Sequence, residues 1–157
     1  MASKTNAVRL IQQAGIPFTE AFYDYDENDL SGLHAASAIG MPAEQVFKTL
    51  VVRGSRTGIH VFCIPVCSTL DLKKAAKAAG DKSIEMVPVK ELMGLTGYIR
   101  GGCSPIGMKR KFPTYIDEMC ILFDTIAVSA GERGHQIILP PDDLASFIDA
   151  TILDIIA

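Results

Sequence analysis

Residues 46–65 read VFKTLVVRGSRTGIHVFCIP. Two runs rich in β-branched and aromatic residues, 46–53 and 59–65, flank GSRTG, a polar turn with glycine at both ends. That pattern predicts an antiparallel β-hairpin. Side chains alternate along a strand, so Val46, Lys48, Leu50 and Val52 share one face. Lys48 is then a single ammonium group among apolar neighbours. Such a lysine either snorkels out at a sheet margin or lines a pocket.

Outward from the hairpin, helices and strands mix without regular βαβ alternation. Residues 5–14 carry Ala7, Val8, Leu10, Ile11 and Ala14 on one helical face, with Thr5 or Ser3 as cap and Gly15 as stop. FTEAFY (18–23) alternates as a strand, and DYDEND (24–29) is an acidic turn. Ser31 caps a short helix that stops at Gly40, and Pro42 opens one helical turn. Residues 71–80 form a helix between Asp71 and Gly80; 84–87 is a strand; Pro88 opens a helix over 88–94. The second half reads as strands at GYIRGG (97–102), PTYID, CILF, TIAVSAG and QIILP, then a helix started by Pro141, Asp142 and Asp143. The order favours an α+β fold, one domain over 1–157 with a mixed, curled, barrel-like sheet flanked by helices.

Composition narrows the function classes. The hydrophobic content of 48% supports a packed core, and the net charge of −3 lacks the basic surplus of a dedicated nucleic-acid binder. A nucleic-acid substrate would have to be held by a local patch. No apolar run approaches the roughly 20 residues that span a bilayer, and the polar N-terminus is no signal peptide, so a cytoplasmic protein is expected. Cys63, Cys67, Cys103 and Cys120 form no C-x-x-C pair, and Cys63 and Cys120 lie in apolar runs where reduced cysteine acts as a small hydrophobe. His34, His60 and His135 are scattered, so each reads as structural and no metal is expected. Gly102 and Gly107 have Walker A spacing, but Met108 and Lys109 follow where Lys and Ser/Thr are required. The calcium-loop pattern beginning at Asp24 fails at Asp29 and at Ala35. No G-x-S-x-G elbow is present. No cofactor is expected.

Two further segments suit ligand contact. Gly101 and Gly102 allow close backbone approach and could aim N–H groups at an ester's developing oxyanion, or could form only a tight turn. Ser129, within VSAGERG (128–134), could offer a hydroxyl to the same space.

FKTLVV around Lys48, LDLKKAAKAAG, TGYIRGGCSPIGMKRKFPTYID and VSAGERG occur in an order and at spacings that resemble the YbaK-type editing deacylases. The resemblance spans nearly the whole chain. It implies an α+β domain that clears cysteine from mischarged proline tRNA, tRNA(Pro), with Lys48 as the essential lysine. Tyr23 matches a pocket tyrosine, with Tyr25 as the alternative register. Thr49, Gly101, Gly102 and Ser129 match substrate-contacting positions. The family's proposed nucleophile is the substrate's own thiol, which closes a cyclic thiolactone. Cys103 falls where an aliphatic residue is tolerated. The implied partners are mischarged tRNA(Pro) and, transiently, prolyl-tRNA synthetase, with neither DNA nor a membrane. Lys109, Arg110 and Lys111 are the candidate tRNA patch, with Lys73, Lys74 and Lys77 as a weaker one. The chain departs from better-known members at Leu30, Ser31 and Gly32, where an aromatic residue helps line the pocket, and at Gln136, where some carry an acidic residue. Deacylation of alanyl- or seryl-tRNA and a non-catalytic docking module are the rival readings.

Overall fold

The computed structural model describes residues 4–157. The hairpin forms as read: β2 (Phe47–Gly54) pairs antiparallel with β3 (Gly58–Pro65), with Lys48 opposite Ile64 and Thr49 opposite Cys63. The turn between them is held from outside. The Asp81 carboxylate accepts hydrogen bonds from the Ser55 and Thr57 hydroxyls and from the Arg56 and Thr57 amides. Those donors favour the anion and hold this carboxyl well below the usual carboxylate range.

Among the described residues, eight strands fall into two sheets. The larger has the order β4-β2-β3-β5-β8, where β4 is Ile84–Met86, β5 is Thr114–Asp117 and β8 is Ala150–Leu153. It is mixed: β2 pairs antiparallel with both β3 and β4, while β3–β5 and β5–β8 are parallel. The smaller sheet, β1-β7-β6, is antiparallel, with β1 at Thr19–Phe22, β6 at Ile126–Ser129 and β7 at His135–Leu139. A parallel bridge between Val46 and Ala127 joins the two sheets. The fold is α+β, as the sequence predicts, but neither sheet closes on itself, so barrel-like describes it only loosely.

Alternation on the hairpin decides what each face covers. Phe47, Val51, Val61 and Cys63 face the main core, with Ile116 from β5, Ile126 and Val128 from β6, and Ile137 and Leu139 from β7. Ala7, Val8 and Ile11 of α1 (Asn6–Gln13) close that core, and the Thr5 hydroxyl caps the helix by accepting from the Val8 amide at 3.2 Å. Ser3, the other candidate cap, lies outside the described residues. The opposite hairpin face, with Val52, Phe62 and Ile64, packs on Ala75 and Ala76 of α3 (Leu72–Ala78). A third cluster joins Ala36 of α2 (Gly32–Ile39) to Val46, Val66 and Ala127, beside the seam of the two sheets.

Four details depart from the sequence reading. α4 (Val89–Thr96) runs past Gly94 and stops at Gly97. Residues 97–102 are turn and coil, because Gly101 takes φ +85°, a left-handed conformation foreign to a strand. CILF is a 3-10 turn over Glu118–Leu122, whose Ile121 and Leu122 point outward. The last helix, read through DDLASFIDA (142–150), ends earlier: α5 is Pro141–Ile148, and Asp149 at φ 56° turns the chain straight into β8, with no glycine or proline to signal it.

Asp117 pins this end of the fold. Fully buried, it accepts from the Met119 amide at 3.0 Å and the Ile155 amide at 3.1 Å. Asp117→Ala strands the buried Ile155 amide and the half-buried Met119 amide and should lower stability by about 2–4 kcal/mol. Urea unfolding with an unchanged m-value is the check.

Candidate functional site: a cleft at the seam of two sheets

The cleft opens where β2 loses its neighbour. β4 covers only Val52–Gly54, which leaves residues 48–50 along an uncovered edge. Side chains from both faces of β2 therefore reach one space. Lys48 enters from one face; Thr49 enters from the other, with its Oγ1 3.9 Å from Cys63 Sγ. The cleft holds about 440 Å³. Tyr23 follows β1, and its amide donates to Gly134 O at 3.0 Å. Ser129 ends β6, and its Oγ accepts from the Gly131 amide at 3.1 Å, shaping the turn into β7. Directly across that antiparallel pair stands Gln136.

Tyr23, Lys48, Thr49, Gly101 and Ser129 thus line one cavity, although they are spread over more than a hundred residues of sequence. Of the two neighbouring tyrosines, Tyr23 faces the cleft and Tyr25 a separate groove. Gly102 does not line the cleft. It is packed behind it, where an added Cβ would press on the Glu132 backbone at 3.1 Å. Lys109, Arg110 and Lys111 also lie outside the lining; Arg110 and Lys111 border another groove, and Lys111 Nζ is 3.5 Å from Asp149 Oδ2.

The turn between β6 and β7 braces two walls. Arg133 Nε donates to Arg100 O at 3.0 Å beside Gly101, while Gly134 holds Tyr23 through the backbone bond described above. Buried His135 anchors the turn, with Nδ1 2.7 Å from Glu132 Oε2, Nε2 2.8 Å from Glu20 Oε2, and Phe22 stacked on its ring at 4.1 Å.

Two lining residues carry more than the sequence suggests. Gln136 is only 6% exposed, and its Oε1 has no hydrogen-bond partner among the described residues. Such an acceptor costs free energy unless a ligand or water supplies a donor. Cys103 reaches the cleft as well, but burial pushes its thiol up to about 12, and burial does the same to Cys63 behind it. Both are therefore thiols at neutral pH and poor nucleophiles. Electrostatically, among the described residues the lining contains Lys48 and Arg100 and no carboxylate, in a chain of net charge −3.

A single-chain α+β fold with a cationic, hydroxyl-rich cleft at a sheet seam suits binding of a small polar acyl group. Comparison identifies the class: residues 32–147 match the aminoacyl-tRNA editing domain, and the chain belongs to that family. An Enterococcus faecalis protein, EbsC, whose name makes it a candidate Cys-tRNA(Pro)/Cys-tRNA(Cys) deacylase, is 46% identical over 97% of this chain and 93% of its own. The proline–tRNA ligase of Shouchella clausii is 30% identical over 65% of this chain, a match that occupies 18% of the ligase. Among solved structures, a candidate trans-editing enzyme for prolyl tRNA synthetase superposes with a TM-score of 0.81 at 24% identity, covering 99% of both chains. The protein APE2540 does so with 0.85 at 19% identity, over 95% of this chain and 97% of its own. These two show the fold.

Proposed function

We propose that this chain is a trans-editing deacylase that frees tRNA(Pro) from wrongly attached cysteine. The observation that carries the reading is the cleft itself: cations, hydroxyls and a glycine loop converge there, and the one thiol is held protonated. An aminoacyl ester is activated, so positioning and electrostatic support suffice. The substrate's cysteine supplies the nucleophile. Its sulfur bonds to its own carbonyl carbon, the ester C–O bond breaks, and the thiol proton ends on the ribose oxygen. The resulting thiolactone is opened by water to free cysteine. Lys48 stabilises the developing charge, the Gly101 backbone orients the carbonyl, and Tyr23, Thr49 and Ser129 shape the acyl pocket. The 46% relative, named for the same substrate, supports this over alanyl- or seryl-tRNA deacylation. The site of action is the cytoplasm, where charged tRNA is used.

Purified protein incubated with Cys-tRNA(Pro), Ala-tRNA(Pro) and Ser-tRNA tests the reading. Rapid loss of the cysteinyl ester alone is expected. Preferential loss of an alanyl or seryl ester would replace substrate-thiol attack with attack by a bound water, and no loss at all would leave a docking module.

The protein's own thiols should be dispensable. Cys103→Ala is expected to keep single-turnover deacylation near wild type, because the thiol is not ionised at working pH. Loss of turnover in a folded Cys103 variant would point to an enzyme nucleophile.

The small cleft reads the amino acid and not the tRNA body, so the proposal includes prolyl-tRNA synthetase as a transient partner. Two weak contacts on one tRNA raise the effective concentration at the cleft. Lys109, Arg110 and Lys111 are the proposed surface for the tRNA body; they stand outside the cleft lining, as a contact beyond the reacting ester requires.

A further inference from the structure

Next to the cleft lies a second groove, lined by Tyr25, Met93, Tyr98, Ile99 and Arg133. The two spaces share a thin partition. Gly134 sits inside it: a Cβ there would be 2.6 Å from the Tyr23 carbonyl oxygen and 3.1 Å from Tyr25 Cδ1. Tyr23 faces the cleft on one side and Tyr25 the groove on the other. The opposite rim repeats the arrangement. Arg100 and Gly101 border the cleft, Ile99 and Arg133 border the groove, and Arg133 is bonded across to the Arg100 carbonyl.

Tyr25, Met93 and Ile99 are 47%, 50% and 42% exposed, clustered around a guanidinium. Glu132 also borders it, but its carboxylate is engaged by His135. An exposed tyrosine with apolar neighbours and an arginine is the chemistry that stacks nucleobases. Arg100 and Arg133 add the positive charge that a phosphate needs.

We infer that this groove binds the terminal adenine of the tRNA whose ester enters the cleft. The inference rests on the deacylase reading, because an ester held at Lys48 places its ribose at the cleft mouth. The base on that ribose must then cross the partition at Gly134 or point to solvent. Tyr25 is the platform on the far side, and Arg133 neutralises the adjoining phosphate.

The test compares two substrates and one ligand. Wild type, Tyr25→Ala and Tyr25→Phe are assayed on Cys-tRNA(Pro) and on cysteine ethyl ester, which has no nucleoside. The trinucleotide CCA is titrated into each protein and followed by NMR. Tyr25→Ala should raise KM on the tRNA by on the order of tenfold, as loss of one base stack does, with kcat little changed. Tyr25→Phe should restore it, and all three proteins should cleave the ethyl ester alike. CCA should shift groove resonances of wild type and not of Tyr25→Ala. Equal losses on both substrates would make Tyr25 part of the cleft and overturn the inference. Unchanged tRNA kinetics without CCA binding would also overturn it and leave the groove to a protein segment. If wild type binds CCA at the groove but spares every mischarged tRNA, the deacylase reading fails and the nucleotide site stands.

Discussion

Lys48→Ala should abolish deacylation while leaving the fold intact. The side chain lies on the uncovered edge of β2, half-buried, and belongs to none of the three apolar clusters. Its removal deletes no core packing, so stability should change by less than about 1 kcal/mol. Chemistry should suffer far more. Among the described residues, Lys48 and Arg100 are the only cations lining the cleft, and Arg100 sits on the exposed loop at its rim. A preorganised charge at the reacting carbonyl commonly contributes about 3–4 kcal/mol, on the order of 10²–10³ in rate. Single-turnover deacylation should fall by at least that factor, while thermal unfolding overlays wild type. Lys48→Arg keeps the charge but replaces a compact ammonium by a broad planar group, and should recover only part of the rate. Turnover near wild type in Lys48→Ala would remove this residue from the mechanism.

Gly134→Ala should cost both stability and activity. The residue is buried at φ +76°, and an added methyl would fall 2.6 Å from the Tyr23 carbonyl oxygen. A left-handed conformation costs a non-glycine residue roughly 1–2 kcal/mol. The contact is with backbone, which cannot rotate aside, so the total should reach about 2–4 kcal/mol. For a chain of this length that lowers Tm by roughly 5–15 °C. The same methyl pushes Tyr23 out of the cleft, so kcat/KM should fall at temperatures where the variant is still folded. Differential scanning calorimetry beside the deacylation assay separates the two effects; a variant with wild-type Tm would show that the turn relaxes freely.

Much of this candidate site is legible in the sequence itself. A single lysine inside VFKTLVV is conspicuous because alternation places it among Val46, Leu50 and Val52, and the glycine pair at 101–102 is conspicuous because glycine permits a turn other residues resist. Which member of that pair faces the cleft was not legible. The preceding residues form a helix end and a turn, not a strand, and Gly102 packs on Glu132, thirty residues away. Gln136 was visible only as a family difference, since its place opposite Ser129 follows from the β6–β7 register. Cys103 looked like an aliphatic substitute and reaches the cleft only through the fold of its loop. The His135 anchor could not be read locally either, because Glu20 lies 115 residues from it in sequence. The last strand was missed because one left-handed Asp149 replaces the usual turn residues.

The cleft is built from two kinds of parts. Lys48, Thr49, Ser129 and Gln136 come from the strands β2, β6 and β7, whose backbones are tied into sheets. Leu30, Ser31, Gly32 and Gly101 come from the loops and helix start around the opening. Floor and rim are therefore separable units of inheritance. A lineage can reshape the loop between Tyr23 and Ser31, ahead of the helix anchored through Ala36, and thereby admit a differently shaped amino acid. The strand-borne floor remains fixed because its positions are locked by strand pairing. In this chain the rim carries Leu30, Ser31 and Gly32, while the lysine stands on the hairpin. Selectivity on such a scaffold can drift by remodelling the doorway without rebuilding the room.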